Sequence, residues 1–467
     1  MTERHRQRRV HLVSLGCSKA LVDSEVVLGQ LSRRGWELTD DDEAELYLIN
    51  TCGFLPEALE ETRVELERLA SLRDRFGGSR LAVIGCAVEE LRERLLDEYP
   101  AIDLLAGTGA LPRLGELVDG LFGGTAAETA EAPVVSFGEP GGAYDGNPDV
   151  LPQRIALTPP HTAYLKLAEG CDLGCAFCAI PRLRGPQRSR ELEAVVGEAA
   201  GLVQAGAREL ILIAQETTAY GRDLYGEPSL AHLLGELALN LPVDDLWLRV
   251  LYPNPARIDE AFLGALDAQP QFVPYLDFPF QHADAGVLRA MNREGGPVEL
   301  RATLEAAREL VPDLVLRGTA LVGFPGEDAA AFDELVRFVD EVRFDHLGVF
   351  AFAAMPNTPA AALDDDVTPA EKELRRRALY ELQEAVSLEK NSALVGTEDQ
   401  VLVDFIAEEG AVCRAARHCP EVDGFVEVVL PRGHDWLPGE FRRIIYTEAL
   451  PYDLRAEPAA AEPPTEA

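Results

Sequence analysis

Three thiols stand at CxxxCxxC spacing in the run Cys171-Asp172-Leu173-Gly174-Cys175-Ala176-Phe177-Cys178, directly after the apolar segment Tyr164 to Leu167. A structural zinc site closes its tetrahedron with four protein ligands, and no further Cys or His occurs in the twenty residues after Cys178. Three thiolates suit an iron-sulfur cube that keeps one iron free for a substrate, as catalytic metal sites keep a position open. On spacing alone, zinc and unliganded thiols remain the alternatives.

With 467 residues the chain is long enough for about three domains, each with its own core. Its 47% hydrophobic and 26% charged residues are those of a globular protein. No apolar run approaches the roughly 18 residues of a membrane span. The start, Met1 to Cys17, superficially resembles a lipoprotein signal, but its apolar segment is shorter than the ~7 residues a signal needs and contains His11. It is read as a first buried strand, with Cys17 kept in the cytoplasm. Eight cysteines are too few for a disulfide scaffold and suit metal ligation in a reducing compartment, again the cytoplasm. Against 80 Asp and Glu stand 43 Lys and Arg, a formal charge of −37. Such a surface repels nucleic acid and attracts basic proteins, so no stable nucleic-acid partner is expected. An acidic host proteome would give the same balance.

Residues 10 to 122 alternate short apolar runs with helical patterns: Val10 to Leu15 then Asp23 to Arg33, Leu46 to Asn50 then Pro56 to Arg75, and Leu81 to Ile84 then Glu89 to Tyr99. This alternation predicts a parallel sheet covered by helices. Each run is followed within two residues by a cysteine: Cys17, Cys52 and Cys86. The carboxyl ends of parallel strands share one edge, where ligands bind, so these cysteines are expected to converge as a second three-thiolate site. The plainer reading is that Cys is a common buried residue.

Residues 123 to 155 read as a linker or flap rich in Gly, Ala, Pro and Glu. Strands are then expected at Tyr164 to Leu167, Glu209 to Ala214, Leu246 to Val250, Tyr275 to Phe278, Val315 to Val322 and His346 to Phe352. Six βα units suggest an open, partial (β/α)6 barrel, with the cluster loop at its carboxyl face. A helix over Pro369 to Leu394 leads to short strands at Gln400 to Ile406, Gly424 to Leu430 and Phe441 to Thr447, a small all-β barrel of OB-like size. The class is α/β. The expected division is 8–124 (parallel α/β domain), 125–155 (linker), 156–390 (barrel), 391–456 (all-β module) and 457–467 (disordered tail).

Several segments carry a family likeness: Ser14-Leu15-Gly16-Cys17-Ser18-Lys19 with Val22-Asp23-Ser24-Glu25, Asn50-Thr51-Cys52-Gly53-Phe54, Gly85-Cys86, and Cys178-Ala179-Ile180-Pro181 with Arg184-Gly185-Pro186-Gln187-Arg188-Ser189-Arg190. With them the chain resembles the methylthiotransferase family of radical S-adenosylmethionine enzymes along essentially its whole length. The resemblance implies an amino-terminal methylthiotransferase domain, a central radical S-adenosylmethionine domain and a carboxy-terminal TRAM domain. Lys19, Gly53 and the Gly-Pro-Gln-Arg run resemble the branch that methylthiolates an aspartate of small-subunit ribosomal protein S-twelve. The sister branch, which acts on adenosine in tRNA, tends to carry Gly-Cys-Gln-Met-Asn and Asn-Thr-Cys-Ser at the first two places.

The resemblance implies two 4Fe-4S clusters, with Cys17, Cys52, Cys86, Cys171, Cys175 and Cys178 as metal ligands and catalytic residues. The cluster on Cys171, Cys175 and Cys178 cleaves S-adenosylmethionine to a radical. The other holds the sulfur to be inserted, which a second S-adenosylmethionine methylates. Gln215, Glu216, Arg317, Gly323, Gly326 and Glu327 are expected to line the cofactor cleft. Gly323 and Gly326 would let backbone approach the nucleoside, although Gly-Phe-Pro-Gly is more often only a turn. Ala20, Glu216 and Ala353 to Asn357 depart from the family's usual residues. The aspartate β-C–H bond is too strong and too weakly acidic for a general base, so the cofactor carries the hard step.

The implied partners are the ribosomal protein, free or in the ribosome, and an electron donor such as flavodoxin or ferredoxin. A monomer is expected. Cys413 and Cys419, flanked by Arg414, Arg417 and His418, are weak grounds for a metal site and read as ordinary thiols. Glu408, Glu409, Glu421 and Asp423 suit protein rather than RNA binding by the all-β module. A tRNA methylthiotransferase and a non-catalytic iron-sulfur or ribosome-binding factor are the competing readings.

Overall fold

The structure, a computed structural model, describes residues 8–122, 132–140 and 154–459. Strands β1 (Arg8–Ser14), β2 (Trp36–Leu38), β3 (Leu46–Thr51), β4 (Arg80–Gly85), β5 (Leu104–Ala106) and β6 (Val134–Ser136) pair in parallel in the order β2-β1-β3-β4-β5-β6. The run Leu46-Tyr47-Leu48-Ile49 gives β3 apolar side chains on both faces, so it belongs inside a covered sheet. Leu46 and Leu48 pack with the helices Ser18–Ser32 and Leu114–Phe122, while Tyr47 and Ile49 pack with Leu66 and Leu69 of the helix Pro56–Arg75. The expected parallel domain is present. Val134–Ser136, inside the range read as a linker, is instead its sixth strand; most of the remaining linker range, including residues 141–147, lies outside the described residues.

The second domain carries β7 (Thr162–Lys166), a two-stranded ribbon of β8 (Ala168–Glu169) with β9 (Arg188–Ser189), and then β10 (Glu209–Ile213), β11 (Trp247–Val250), β12 (Tyr275–Gln281), β13 (Val315–Val322) and β14 (His346–Ala351). The six main strands are parallel, in the order β7-β10-β11 and β12-β13-β14. A parallel bridge between Leu248 and Phe272 joins the two halves. Leu210 and Leu212 face the outer helices, whereas Ile211 and Ile213 face inward with Tyr164 and Tyr275. The result is the open (β/α)6 barrel that the sequence predicts.

The helix Pro369–Leu394 leads to a closed barrel of β15 (Glu398–Ala407), β16 (Gly410–Ala415), β17 (Val426–Val429), β18 (Phe441–Ala449) and β19 (Leu454–Pro458), in the order β15-β16-β17-β19-β18. Two of these strands, β16 and β19, are additions to the three expected. Glu457 and Pro458, read as the start of a disordered tail, belong to β19; residues 460–467 lie outside the described residues. Cys413 is buried in this barrel's core, and Cys419 is buried against Tyr275 and Trp247 of the larger barrel.

The small barrel covers the amino-terminal mouth of the larger one. Glu209, the first residue of β10, accepts from Arg249 at 2.9 Å and from Arg414 of β16. Arg414 also reaches Thr162, the first residue of β7, and Tyr275, the first of β12, donates to Asp423 at 2.7 Å. Arg249 donates further to the carbonyls of Ala416 and His418. Arg249→Ala would strip a buried carboxylate of one partner and two carbonyls of their donor, a loss of about 3–5 kcal/mol. Limited proteolysis is expected to release the fragment carboxy-terminal to about residue 395 faster in this variant; unchanged protection would show that the domains are joined by other contacts.

Candidate functional site

Because β1, β3 and β4 are adjacent and parallel, their carboxyl ends share one edge, and Cys17, Cys52 and Cys86 follow them there. Glycines make the approach possible. A Cβ on Gly16 would lie 3.1 Å from Cys52 Cβ, and one on Gly53 would lie 2.7 Å from the Cys86 carbonyl. Gly16 and Gly85 also hold φ values of +101° and +100°, which side chains rarely adopt. The three thiols feel one another's charge.

Their environments differ. The residue Cys17 is exposed, yet the protein packed about its sulfur acts to raise the thiol pKa; Lys19, Arg184 and the amides of Ala20 and Lys19 outweigh this and leave the thiol below its ordinary range. That is the expected effect of a helix N-terminus with cations beside it. Burial pushes Cys86 up to about 12, although Arg184 Nε donates to its Sγ at 3.1 Å. Cys52 is raised by burial as well.

Cys171, Cys175 and Cys178 occupy the loop between β8 and the helix Ile180–Arg184, at the carboxyl face of the barrel. Burial raises Cys171 to about 11 and Cys178 to about 12, each further raised by its neighbouring thiols. Arg293 Nη1 lies 3.6 Å from Cys175 Sγ. Both triads therefore offer thiol donors only, each with a guanidinium on one sulfur, a donor set that fits an anionic iron-sulfur cluster. Among the described residues no three His, Cys, Asp or Glu side chains are gathered tightly enough for a single metal ion.

The two domains meet beside the triads. Cys86 shares a buried cluster with Ala179 and Leu183, and Ala179 is the residue after Cys178. Beside them lies a buried charge network that the sequence did not single out. Lys166 Nζ donates to Asp23 Oδ1 at 2.7 Å and pairs with Glu169; Arg184 Nη1 reaches Asp23 Oδ2 at 2.5 Å and Glu169 Oε2 at 3.3 Å. Against the cost of burial, Lys166 and Arg184 hold the Glu169 carboxyl down, to about 2. The Asp23 and Arg184 motifs were visible as a family likeness, but nothing in a one-dimensional string pairs residues so far apart.

The six expected cofactor residues fall in different places. Gln215 donates to Glu169, so it stands on the network. Glu216 is buried, accepts from Thr218, Ala219 N and Arg257, and raises Cys171 by its charge, which places it beside the second triad. Arg317 is committed to Asp277 at 3.3 Å and to Asp423 of the small barrel at 3.4 Å, at the opposite mouth. Gly323 (φ +71°) is needed because a Cβ there would lie 2.2 Å from Lys372 Cγ. Glu327 is buried, accepts from Gly323 N at 2.6 Å and pairs with Arg375, so it shapes that turn. Gly326 is exposed and donates to Asp366. A surface pocket of about 460 Å³ between Asp284–Val287 and Asp328–Arg337 is lined by neither triad.

Residues 9–107 match the uncharacterized protein family UPF0004, residues 165–339 the radical SAM superfamily and residues 395–458 the TRAM domain. The ribosomal protein uS12 methylthiotransferase RimO of Geobacter sulfurreducens is 39% identical over 97% of this chain and 98% of its own length. That of Syntrophus aciditrophicus is 41% identical over 97% and 98%. The chain belongs to the RimO family of methylthiotransferases. The fold is shared more widely. The radical S-adenosylmethionine methyltransferase TsrM of Kitasatospora setae superposes with a TM-score of 0.56 at 16% identity, covering 84% of this chain and 79% of that one.

For this RimO-family chain the thiol environments order reactivity in the metal-free protein. Cys17 is exposed and its thiol is shifted down; Cys86 is buried and shifted up. Iodoacetamide at neutral pH is expected to label Cys17 first, with peptide mass spectrometry as the readout. Equal or faster labelling of Cys86 would contradict the environments described.

Proposed function

We propose that this chain methylthiolates the β-carbon of an aspartate in ribosomal protein uS12, with two 4Fe-4S clusters and S-adenosylmethionine as cofactors. The observation that carries the reading is the burial of Cys86 in one cluster with Ala179 and Leu183, which brings the domain of one all-thiol set against the loop of the other in a RimO-family chain. Cys171, Cys175 and Cys178 are the ligands of one cluster and Cys17, Cys52 and Cys86 those of the other. When bound, these groups supply a carbon-centred radical able to take a hydrogen atom from an unactivated C–H bond, and the sulfur that replaces it.

The chain's own residues do the rest. Burial of Cys171, Cys175 and Cys86 limits water at the sulfurs, which protects a radical from quenching. Arg184 places fixed positive charge on the Cys86 sulfur, working against the effect of burial there, and the Arg293 guanidinium stands beside the Cys175 sulfur. Gln215 and Glu216 stand where the cofactor of the second triad would meet the protein, and Gly323 and Glu327 shape the turn behind it. No described helix is long and apolar enough to cross a membrane. The reading takes the enzyme as a cytoplasmic monomer, reduced by a donor such as flavodoxin or ferredoxin. Its formal charge of −37 favours a basic protein over tRNA.

The test is mass spectrometry after anaerobic reconstitution, with a peptide of the uS12 target loop and bulk tRNA offered separately. A methylthio increment on the peptide's aspartate is expected; an increment on tRNA alone would overturn the reading. Cys17→Ala is expected to keep reductive cleavage of S-adenosylmethionine, measured as 5'-deoxyadenosine, while sulfur insertion is lost. Intact insertion in that variant would refute the division of labour between the triads.

A further inference from the structure

Beside Cys17 stands a cation that no carboxylate among the described residues engages. Lys19, two residues after Cys17 in the first turn of the helix Ser18–Ser32, is buried, with 8% of its surface exposed. Its ammonium stands 3.2 Å from the ring centre of Tyr252, and its charge is felt by the Cys17 thiol. Among the described residues no carboxylate pairs with it and no hydrogen bond engages its Nζ. The neighbouring buried cations are matched: Lys166 and Arg184 by Asp23 and Glu169, and Arg190 by Glu198. Arg293 is half-buried and directed at Cys175 Sγ and the Pro279 carbonyl. The Nζ itself is not sealed from solvent, so an ammonium held on this aromatic face keeps donors open to an anion supplied from outside.

Tyr252 fixes where that anion would sit. β11 ends at Val250, so Tyr252 stands at the carboxyl mouth of the barrel. It holds φ +63°, a conformation that bulky residues avoid and that marks functional sites when the surroundings enforce it. Here they do: its N–H donates to Asp277 Oδ2 at 3.0 Å, and its carbonyl accepts from Thr217 N at 3.1 Å. Its hydroxyl lies 3.4 Å from Ser18 Oγ. The ring therefore ties the barrel mouth, where the Cys171 triad lies, to the loop of Cys17.

We propose that Lys19 binds the side-chain carboxylate of the target aspartate and so sets the enzyme's preference for an acid at that position. The proposal rests on the uS12 reading given above. The β-carbon that is attacked is bonded directly to that carboxylate, and it must lie within reach of both triads. An aspartate brings the missing counter-charge to the ammonium, as a charge-assisted N–H···O bond. An asparagine of the same shape leaves it unmatched, which is how a site distinguishes isosteres.

The test uses the reconstituted holoenzyme, as wild type and as Lys19→Met, Lys19→Gln and Lys19→Arg, each checked for iron content. Fluorescence anisotropy measures the affinity of two uS12-loop peptides that differ only in Asp or Asn at the target position, and steady-state kinetics give the KM for S-adenosylmethionine. Wild type is expected to bind the Asp peptide roughly ten- to a hundredfold more tightly than the Asn peptide. The Met and Gln variants are expected to bind the two alike, and the Arg variant to keep the preference. An undiminished preference in Lys19→Met or Lys19→Gln overturns the proposal. So does a raised KM for S-adenosylmethionine with the peptide preference intact, since the carboxylate served would then be the cofactor's. If wild type modifies no aspartate peptide, the uS12 reading itself fails and takes the proposal with it.

Discussion

Asp23 and Glu169, facing Lys166 and Arg184, form a charge-balanced group sealed between the first domain and the barrel. Taking four charges out of water costs several kcal/mol for each, and their mutual attraction repays this only when the geometry is good. Such a group adds little net stability, yet removing one member leaves a buried charge unpaired. Its value is directional. Charge-assisted hydrogen bonds are short and oriented, so they hold the helix Ser18–Ser32, which carries Asp23, at a fixed distance from β7 and β8. Arg184 extends the constraint to Cys86, and Gln215 extends it to the start of the loop after β10. The spacing between the two thiol sets is therefore set by side chains that belong to neither.

The same guanidinium shapes the chemistry of the thiols. A thiol buried in protein resists deprotonation, and the shift of Cys86 to about 12 is that effect. Metal ligation needs the thiolate. Arg184 supplies a permanent positive charge at the buried Cys86 sulfur, while Cys17 gains its relief from Lys19, Arg184 and the amides of a helix start. Burial excludes water from the site, and the fixed cations make that burial compatible with ligation. Neither arrangement would serve alone.

Much of this architecture was legible in the chain. Val315 to Val322 and the helix Pro369–Leu394 were found because long apolar or periodic runs leave little choice of partner. The cysteines after β1, β3 and β4 could be placed at one edge because parallel topology forces their carboxyl ends together. The short strands β2, β5, β6, β16 and β19 were not read. Three to six residues carry too little pattern, and what makes Val134–Ser136 a strand is its pairing with β5 rather than its own composition. Arg317, expected at the cofactor cleft, is engaged by Asp423 of the small barrel. Gly323, expected either to admit a nucleoside or only to turn the chain, has Lys372 where a side chain would stand. Both contacts join segments far apart in sequence, which local reading does not reach.

The three domains also constrain how a substrate can arrive. At the amino-terminal mouth of the barrel, Glu209, Arg249, Tyr275 and Arg317 are engaged with Arg414, His418 and Asp423 of the small barrel. At the carboxyl mouth the first domain lies over the cluster loop, joined by Thr108 to the Leu183 carbonyl at 2.8 Å and by Arg182 to Glu90. Barrels of this kind carry their chemistry at the carboxyl end, which here is the end that the first domain covers. A single extended segment of polypeptide advances about 3.3 Å per residue and presents side chains to either hand. A side chain at the tip of a protein loop therefore reaches further from its own backbone support than one on a packed surface, which suits an end of the barrel that a second domain covers.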